Sequence, residues 1–247
     1  MMALETRNLV KRFGGFTATH DVSLSIRQGA RHALIGPNGA GKTTLINLFT
    51  GVFAPTSGQI FLDGEDITAL PAHARVARGL SRTFQINQLF ADFTPLDSMM
   101  LAIGERKGHG RRFWQPLAAD REVAEEAVTT LERFRLADVM SEETRLLPYG
   151  KQRLLEIALA IAARPKVLLL DEPAAGVPEE EREEVLGIVR ALPEDVTVVL
   201  IEHDMDLVFS FADRISVLAA GALFAEGTVE EISRDPQVKA IYLGEDA

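Results

Sequence analysis

Residues 31–50 read RHALIGPNGAGKTTLINLFT, and the rest of the chain is placed outward from them. His32–Ile35 is a short apolar run, Gly36–Gly41 a glycine-rich turn, and Lys42–Thr50 a helix closed by Gly51. Gly36, Gly41, Lys42 and Thr43 meet the pattern G-x-x-x-x-G-K-[ST] between a strand and a helix, the setting a phosphate-binding P-loop requires. Along Gly36, Pro37, Asn38, Gly39, Ala40 and Gly41, three glycines lack the side chains that keep a phosphate off the backbone, so successive N–H groups can converge on its oxygens. The helix opening with Lys42, Thr43 and Thr44 adds the positive end of its dipole at the same spot. Lys42 supplies a mobile charge for β- and γ-phosphates, and Thr43 a hydroxyl ligand for Mg2+. This stretch predicts that the chain binds a nucleoside triphosphate.

At 247 residues the chain has room for one large or two small domains around a substantial core. Its net charge of −10 argues against a nucleic-acid partner, which needs a basic face. It has no cysteine, which removes disulfides and thiolate zinc sites. The start, MMALETRNLVKRFGG, lacks the apolar region of a secretory signal. The longest apolar run, Ile157–Ala163, stops at Arg164, well short of a membrane span. The expectation is a soluble intracellular protein that reaches a membrane only through a partner.

Upstream of the opening stretch, Ala3–Ile26 alternates apolar and polar residues, as half-buried antiparallel strands do. Downstream, Gln59–Leu62 reads as a strand followed by an Asp63–Gly64 turn. From about Ala69 helical spacing takes over, and a helical insertion is expected between about Pro71 and Pro148. Leu96–Met100 and Asp120–Leu136 read as helices joined by a Gly/Arg-rich link, Gly104–Arg112, expected to be an exposed loop whose basic residues are a solvated face. Leu147–Arg164 is helical, with Leu154, Ile157, Ala158, Ile161 and Ala162 on one face and a stop at Arg164–Pro165. Val167–Leu170 and Val196–Ile201 are fully apolar strands separated by a charged helix, Glu179–Arg190, with an inward stripe of Val185, Ile188 and Val189. A hairpin around Gly221 and a helix capped by Thr228 and Glu231 follow. Apolar strands interleaved with helices predict an α/β fold with a mainly parallel sheet and ligands at the strand carboxyl ends.

The run VLLLDEP, 167–173, delivers two acids at a strand end. Beside a P-loop, Asp171 suits the holding of Mg2+ and Glu172 the polarising of the water that attacks the γ-phosphate. The plainer alternative is that the two acids cap the next helix.

Taken in order, GPNGAGKTT, RTFQ (82–85), LPYGKQRLLEIALAIAARPKVLLLDEP (147–173) and LIEHD (200–204) resemble the ATP-binding cassette (ABC) ATPases of transporters over nearly the whole chain. The segments AAGV, FADRISVL and AEGTVEEI resemble the ATP-binding proteins of branched-chain or hydrophobic amino-acid importers, although urea and lipopolysaccharide systems have similar tails. The resemblance implies a P-loop NTPase (RecA-like) core with an N-terminal antiparallel β subdomain, over about 1–85 and 159–247, and an inserted α-helical subdomain over about 86–158. It implies ATP and Mg2+ as ligands. Phe13 corresponds to the aromatic stacked on adenine, against the alternative of a core Phe in a hairpin. Gln85 corresponds to the neutral side chain that reaches Mg2+ or water, and His203 to the donor to the γ-phosphate.

Leu147–Lys151 stands where the family has LSGGQ, whose residues clamp the γ-phosphate held by a second subunit. Tyr149, Gly150 and Lys151 are therefore candidate nucleotide contacts. Pro148 replaces the serine and removes both a hydroxyl and an N–H, Tyr149 replaces a glycine, and Gly150 remains at the helix N-terminus. Pro178 stands where many cassettes have an aspartate. The resemblance implies a head-to-tail dimer with a second ATP-binding subunit, identical or a close paralogue, with turnover slowed by these departures. Further implied partners are integral-membrane permease subunits and, indirectly, a periplasmic or extracellular solute-binding protein. The location implied is peripheral, on the cytoplasmic face of the inner or plasma membrane. Leu89, Phe90, Phe93 and Leu96, in the segment 87–96, are either the contact with a membrane subunit or insertion core. A rival of another class, a soluble cassette ATPase acting on nucleic acid or ribosomes, fits less well with one cassette and an acidic balance.

Overall fold

The computed structural model describes residues 1–83, 89–108 and 120–243. They fall into two compact units, Met1–Arg82 with Lys166–Glu172 and Pro193–Ala247, and Thr83–Pro165 with Pro173–Leu192.

In the first unit, β1 (Met2–Phe13), β2 (Phe16–Arg27), β4 (Ser57–Leu62) and β5 (Glu65–Asp66) form an antiparallel sheet of order β2-β1-β4-β5. The second sheet runs β10-β9-β3-β8-β7-β6, with β3 (Arg31–Ile35), β6 (Leu80–Arg82), β7 (Val167–Asp171), β8 (Thr197–Ile201), β9 (Arg214–Ala219) and β10 (Ala222–Thr228). It is parallel except for the β9–β10 hairpin. Continuous apolar strands need cover on both faces, and here they have it. Leu34, Leu169, Val199 and Ile201 share a core with Leu45, Ile46, Leu48 and Phe49 of α1 (Lys42–Phe49) and with Leu4, Leu9, Val22, Leu24 and Ile60 of the antiparallel sheet. On the other side, Ala33, Ile35, Ile215 and Val217 pack with Val208 of α7 (Met205–Phe211), Ile232 of α8 (Val229–Arg234) and Val238 of α9 (Pro236–Leu243).

The helical spacing expected from Ala69 is interrupted. After α2 (Ala72–Val76) the chain makes β6, which pairs parallel to β7 from Leu80↔Val167 to Arg82↔Leu169. Three residues are too few to show a period, so this edge strand exists through its ladder alone.

The second unit packs α3 (Pro95–Arg106), α4 (Arg121–Arg133), α5 (Tyr149–Ala162) and α6 (Glu179–Arg190). Thr94 and Asp97 form a capping box on α3, and the Asp120 carboxylate accepts from Val123 N–H to start α4. On α4, Val123, Ala127 and Leu131 are buried at a spacing of four. The insertion expected over about 86–158 falls within this unit, which also takes in 159–165 and 173–192. Since α5 is one helix to Ala162, no boundary falls at 158. The link expected at Gly104–Arg112 begins later, because Gly104–Arg106 are the last turn of α3. Arg106 is no solvated cation: it donates to both Glu126 oxygens at 2.7 Å and to Ala162 O at 2.9 Å, tying three helices together. Residues 109–112 of that link lie outside the described residues.

His32, buried on β3, shares a 2.8 Å hydrogen bond between its Nε2 and Ser216 Oγ. Burial pulls its pKa from 6.5 down to about 4, against the favourable field of Glu226 and with that of Arg214. The imidazole is therefore neutral in the fold and charged in the unfolded chain at mildly acid pH. A depressed folded pKa gives stability that is complete above 6.5 and lost as pH falls toward 4. At about 1.4 kcal/mol per pH unit the loss reaches about 3 kcal/mol. Urea unfolding of the wild type and His32→Gln at pH 7 and pH 4.5 checks this, since the variant should lack that part of the acid slope.

Candidate active site

The strands β3, β8 and β7 are neighbours, and the register Leu34↔Ile201↔Asp171 puts their carboxyl ends level. The glycine-rich loop leaves β3 there, Glu172 follows β7, and Glu202 and His203 follow β8. One sheet edge thus gathers residues that are far apart in the chain.

Two loop glycines have a second reason beyond phosphate access. Gly36 has φ 154°, and a Cβ there would overlap Leu218 O; Gly41 has φ 98°, and its Cβ would sit 2.6 Å from Ala18 O. Close packing on β9 and β2 therefore fixes both positions as glycine. Pro37 O accepts from Ala40 N–H at 3.1 Å and Ala40 O from Gly221 N–H at 3.0 Å, while Asn38, Gly39 and Thr43 are exposed. The first rung of α1 is Leu45 N–H to Gly41 O at 2.9 Å, which leaves the amides of Lys42, Thr43 and Thr44 outside the helix ladder. At the far end of α1, buried Arg75 donates to Leu48 O at 2.6 Å and Phe49 O at 2.7 Å, and also to Leu70 O and Thr68 O at 2.9 Å. A cation at a helix C-terminus complements the dipole. Sequence reasoning did not single out Arg75.

The Lys42 ammonium, half-buried, donates to Gly36 O and to Pro37 O, the latter at 3.1 Å. Burial lowers its pKa, while the carboxylates of Glu172 and Asp171 pull the other way. Asp171 is buried and accepts from Arg82 Nη2 at 2.7 Å. Glu172 stands in the left-handed region at φ 46°, with its N–H donating to Ile201 O at 2.9 Å. A glutamate rarely adopts that conformation, so the turn after β7 holds it there under strain. Its Oε1 is 3.5 Å from His203 Nδ1.

Glu202, read from sequence as delivered with His203 at a strand end but given no role, is buried, with Oε2 accepting from His203 N–H at 3.1 Å. Burial raises its pKa, and hydrogen bonds from the His203 and Asp204 amides offset part of the rise. Phe13 ends β1 at the tip of the β1–β2 hairpin and is 44% exposed, so its ring is not core. The ring meets Phe53 edge-on at 5.3 Å, with Lys11 Nζ 5.0 Å above it. Gln85 lies outside the described residues.

In the second unit, Pro148 is the N-cap of α5 and its own side chain makes no cap hydrogen bond. The Gly150 N–H, expected to face a phosphate, donates instead to Glu181 Oε2 at 2.8 Å. Tyr149 packs against Gly176. Lys151 Nζ donates to Arg135 O at 2.6 Å and lies 3.5 Å from Asp138 and 3.8 Å from Glu184. Pro178 is the N-cap of α6.

On the first unit, loop amides, an ammonium and a hydroxyl suit a polyphosphate, and two strand-end acids suit a cation bound with it. Thr43 and Asp171 offer the hard oxygen ligands that Mg2+ prefers.

Residues 19–175 match the family described as ABC transporter, and residues 222–247 match that described as branched-chain amino acid ATP-binding cassette transporter. The high-affinity branched-chain amino acid transport ATP-binding protein BraF of Pseudomonas aeruginosa is 41% identical, over 98% of each chain. The protein LivG of Escherichia coli, of the same description, is 38% identical, again over 98% of each chain. Among solved structures, the ADP conformation of MJ1267, an ATP-binding cassette of an ABC transporter, superposes with a TM-score of 0.85 at 33% identity, covering 99% of this chain and 100% of the other. A nucleotide-free ATP-binding cassette gives a TM-score of 0.84 at 32% identity, with 99% and 100% covered.

Proposed function

The chain belongs to the ABC transporter family, and on that premise we propose that it is the ATP-hydrolysing motor subunit of an importer for branched-chain or other hydrophobic amino acids. The observation that carries the motor reading is the level alignment of the glycine-rich loop, Asp171–Glu172 and His203 at the ends of three adjacent strands. The loop amides and Lys42 hold the triphosphate. Thr43 and Asp171, with Gln85, hold Mg2+, which supplies charge neutralisation at the phosphate oxygens. Glu172 takes a proton from water as that water attacks the γ-phosphorus, the bond to the ADP oxygen breaks, and His203 donates to the departing γ-phosphate. Phe13, exposed at its hairpin tip, offers a ring face to adenine.

Pairing head to tail, an identical or paralogous subunit brings Tyr149, Gly150 and Lys151 to the nucleotide of the first. Pro148 at the N-cap and the engaged Gly150 amide support a weaker clamp and slower turnover than a serine-bearing signature gives. Among the described residues no helix is long and apolar enough to cross a membrane. Membrane work then runs through permease subunits at the cytoplasmic face, with a solute-binding protein acting from the other side.

Phe90 and Phe93, 58% and 40% exposed with ring centroids 5.1 Å apart, support a permease contact, whereas Leu89 and Leu96 are half-buried. In proteoliposomes carrying the permease, Phe90→Glu with Phe93→Glu should abolish leucine uptake while ATP hydrolysis persists. Coupled uptake at the wild-type level would overturn the contact. A reconstituted complex that hydrolyses ATP but moves no branched-chain amino acid would overturn the assigned cargo.

A further inference from the structure

We propose that Arg82 is a positioning residue for Asp171, and that its guanidinium sets how strongly the divalent cation is held with the nucleotide. The inference rests on the reading of Asp171 as a cation ligand. Arg82 ends β6, the strand next to β7, and its register partner is Leu169, so its side chain reaches along β7 toward Asp171. Nη2 donates to Asp171 Oδ2 at 2.7 Å, and Nη1 donates to Asn47 Oδ1 at 2.8 Å. The Arg82 and Asp171 side chains are only 10% and 8% exposed.

Asn47 belongs to α1, the helix that also carries Thr43. One planar fork therefore ties the strand bearing one oxygen ligand to the helix bearing the other. A carboxylate with a free torsion would sample several orientations. Held through Oδ2 by a guanidinium that is itself anchored on α1, this carboxylate keeps one orientation relative to Thr43's helix. Lysine has the charge but not the rigid fork, so it cannot span Asn47 and Asp171 with fixed geometry.

The test uses the full-length protein with ADP, and Mn2+ as a probe followed by its paramagnetic resonance. Arg82→Met should raise the Mn2+ dissociation constant of the protein–ADP complex by about 10–100-fold, the range for partners of metal ligands. ADP binding in EDTA should stay unchanged, and Arg82→Lys should recover little of the loss. In an Asp171→Asn background, Arg82→Met should have no further effect on Mn2+. That double variant lacks the buried carboxylate charge that Arg82→Met alone leaves without its guanidinium, and keeps the test usable if the single variant misfolds. An unchanged Mn2+ constant overturns the proposal. So do a parallel loss of ADP binding in EDTA, full rescue by lysine, or additivity with Asp171→Asn. If Asp171→Asn itself leaves Mn2+ uptake intact, the underlying assignment of Asp171 fails as well. If it abolishes uptake while Arg82→Met does not alter it, only the role of Arg82 fails.

Discussion

Glu172→Gln is expected to keep ATP bound and to lose hydrolysis by about 10²–10⁴-fold, the contribution of a positioned general base. The substitution preserves shape and leaves the Glu172 N–H to Ile201 O bond in place, so the left-handed turn after β7 need not move. What changes first is the proton acceptor, since an amide cannot take the proton of the attacking water. The change also removes one of the two fields that favour the Lys42 ammonium, but Asp171 still supplies the other. Single-turnover hydrolysis measured beside the dissociation constant for ATP separates the two effects. Turnover near the wild-type rate would take Glu172 out of the base role.

Lys42→Ala should do the reverse and weaken binding itself. Hydrogen bonds to a charged group contribute about 1.5–3 kcal/mol, which corresponds to about 10–100-fold in the dissociation constant. The ammonium is half-buried at the loop, so part of the dehydration that its move onto a phosphate requires is met in advance. Its donations to the Gly36 and Pro37 carbonyls are the contacts it must exchange. Part of the loss in the variant will come from those carbonyls losing their donor, and a melting curve without nucleotide measures that part. An unaltered dissociation constant would contradict the phosphate-loop assignment.

The parts of this site readable from sequence are those whose signals are local. A strand, a glycine turn and a lysine follow one another within residues 31–43, and VLLLDE carries both an apolar run and the acids it delivers. The neighbours of those residues were not readable. Arg82 meets Asp171 across 89 residues, and Arg75 reaches the end of α1 across 27. A side-chain pairing of that kind leaves no period or spacing behind. The short strand β6 was hidden for the same reason, because its identity lies in its partner. Glu202 stood beside a recognised histidine, yet only burial shows that it differs from the ordinary surface glutamates of an acidic chain. The helix ends fared better where a side chain marks them, as Thr228 with Glu231 does on α8.

One contact in the second unit limits what α5 can offer. A single N–H serves one acceptor well, and that of Gly150 is occupied by a carboxylate that α6 carries. An outside anion that takes the Gly150 amide must displace the Glu181 carboxylate from it. The attraction it gains is only the difference between two like tenants, and the resident, tethered by the chain, never diffuses away. On the proposed head-to-tail pairing, Gly150 donates to a neighbour's phosphate only once the α6 carboxylate releases it.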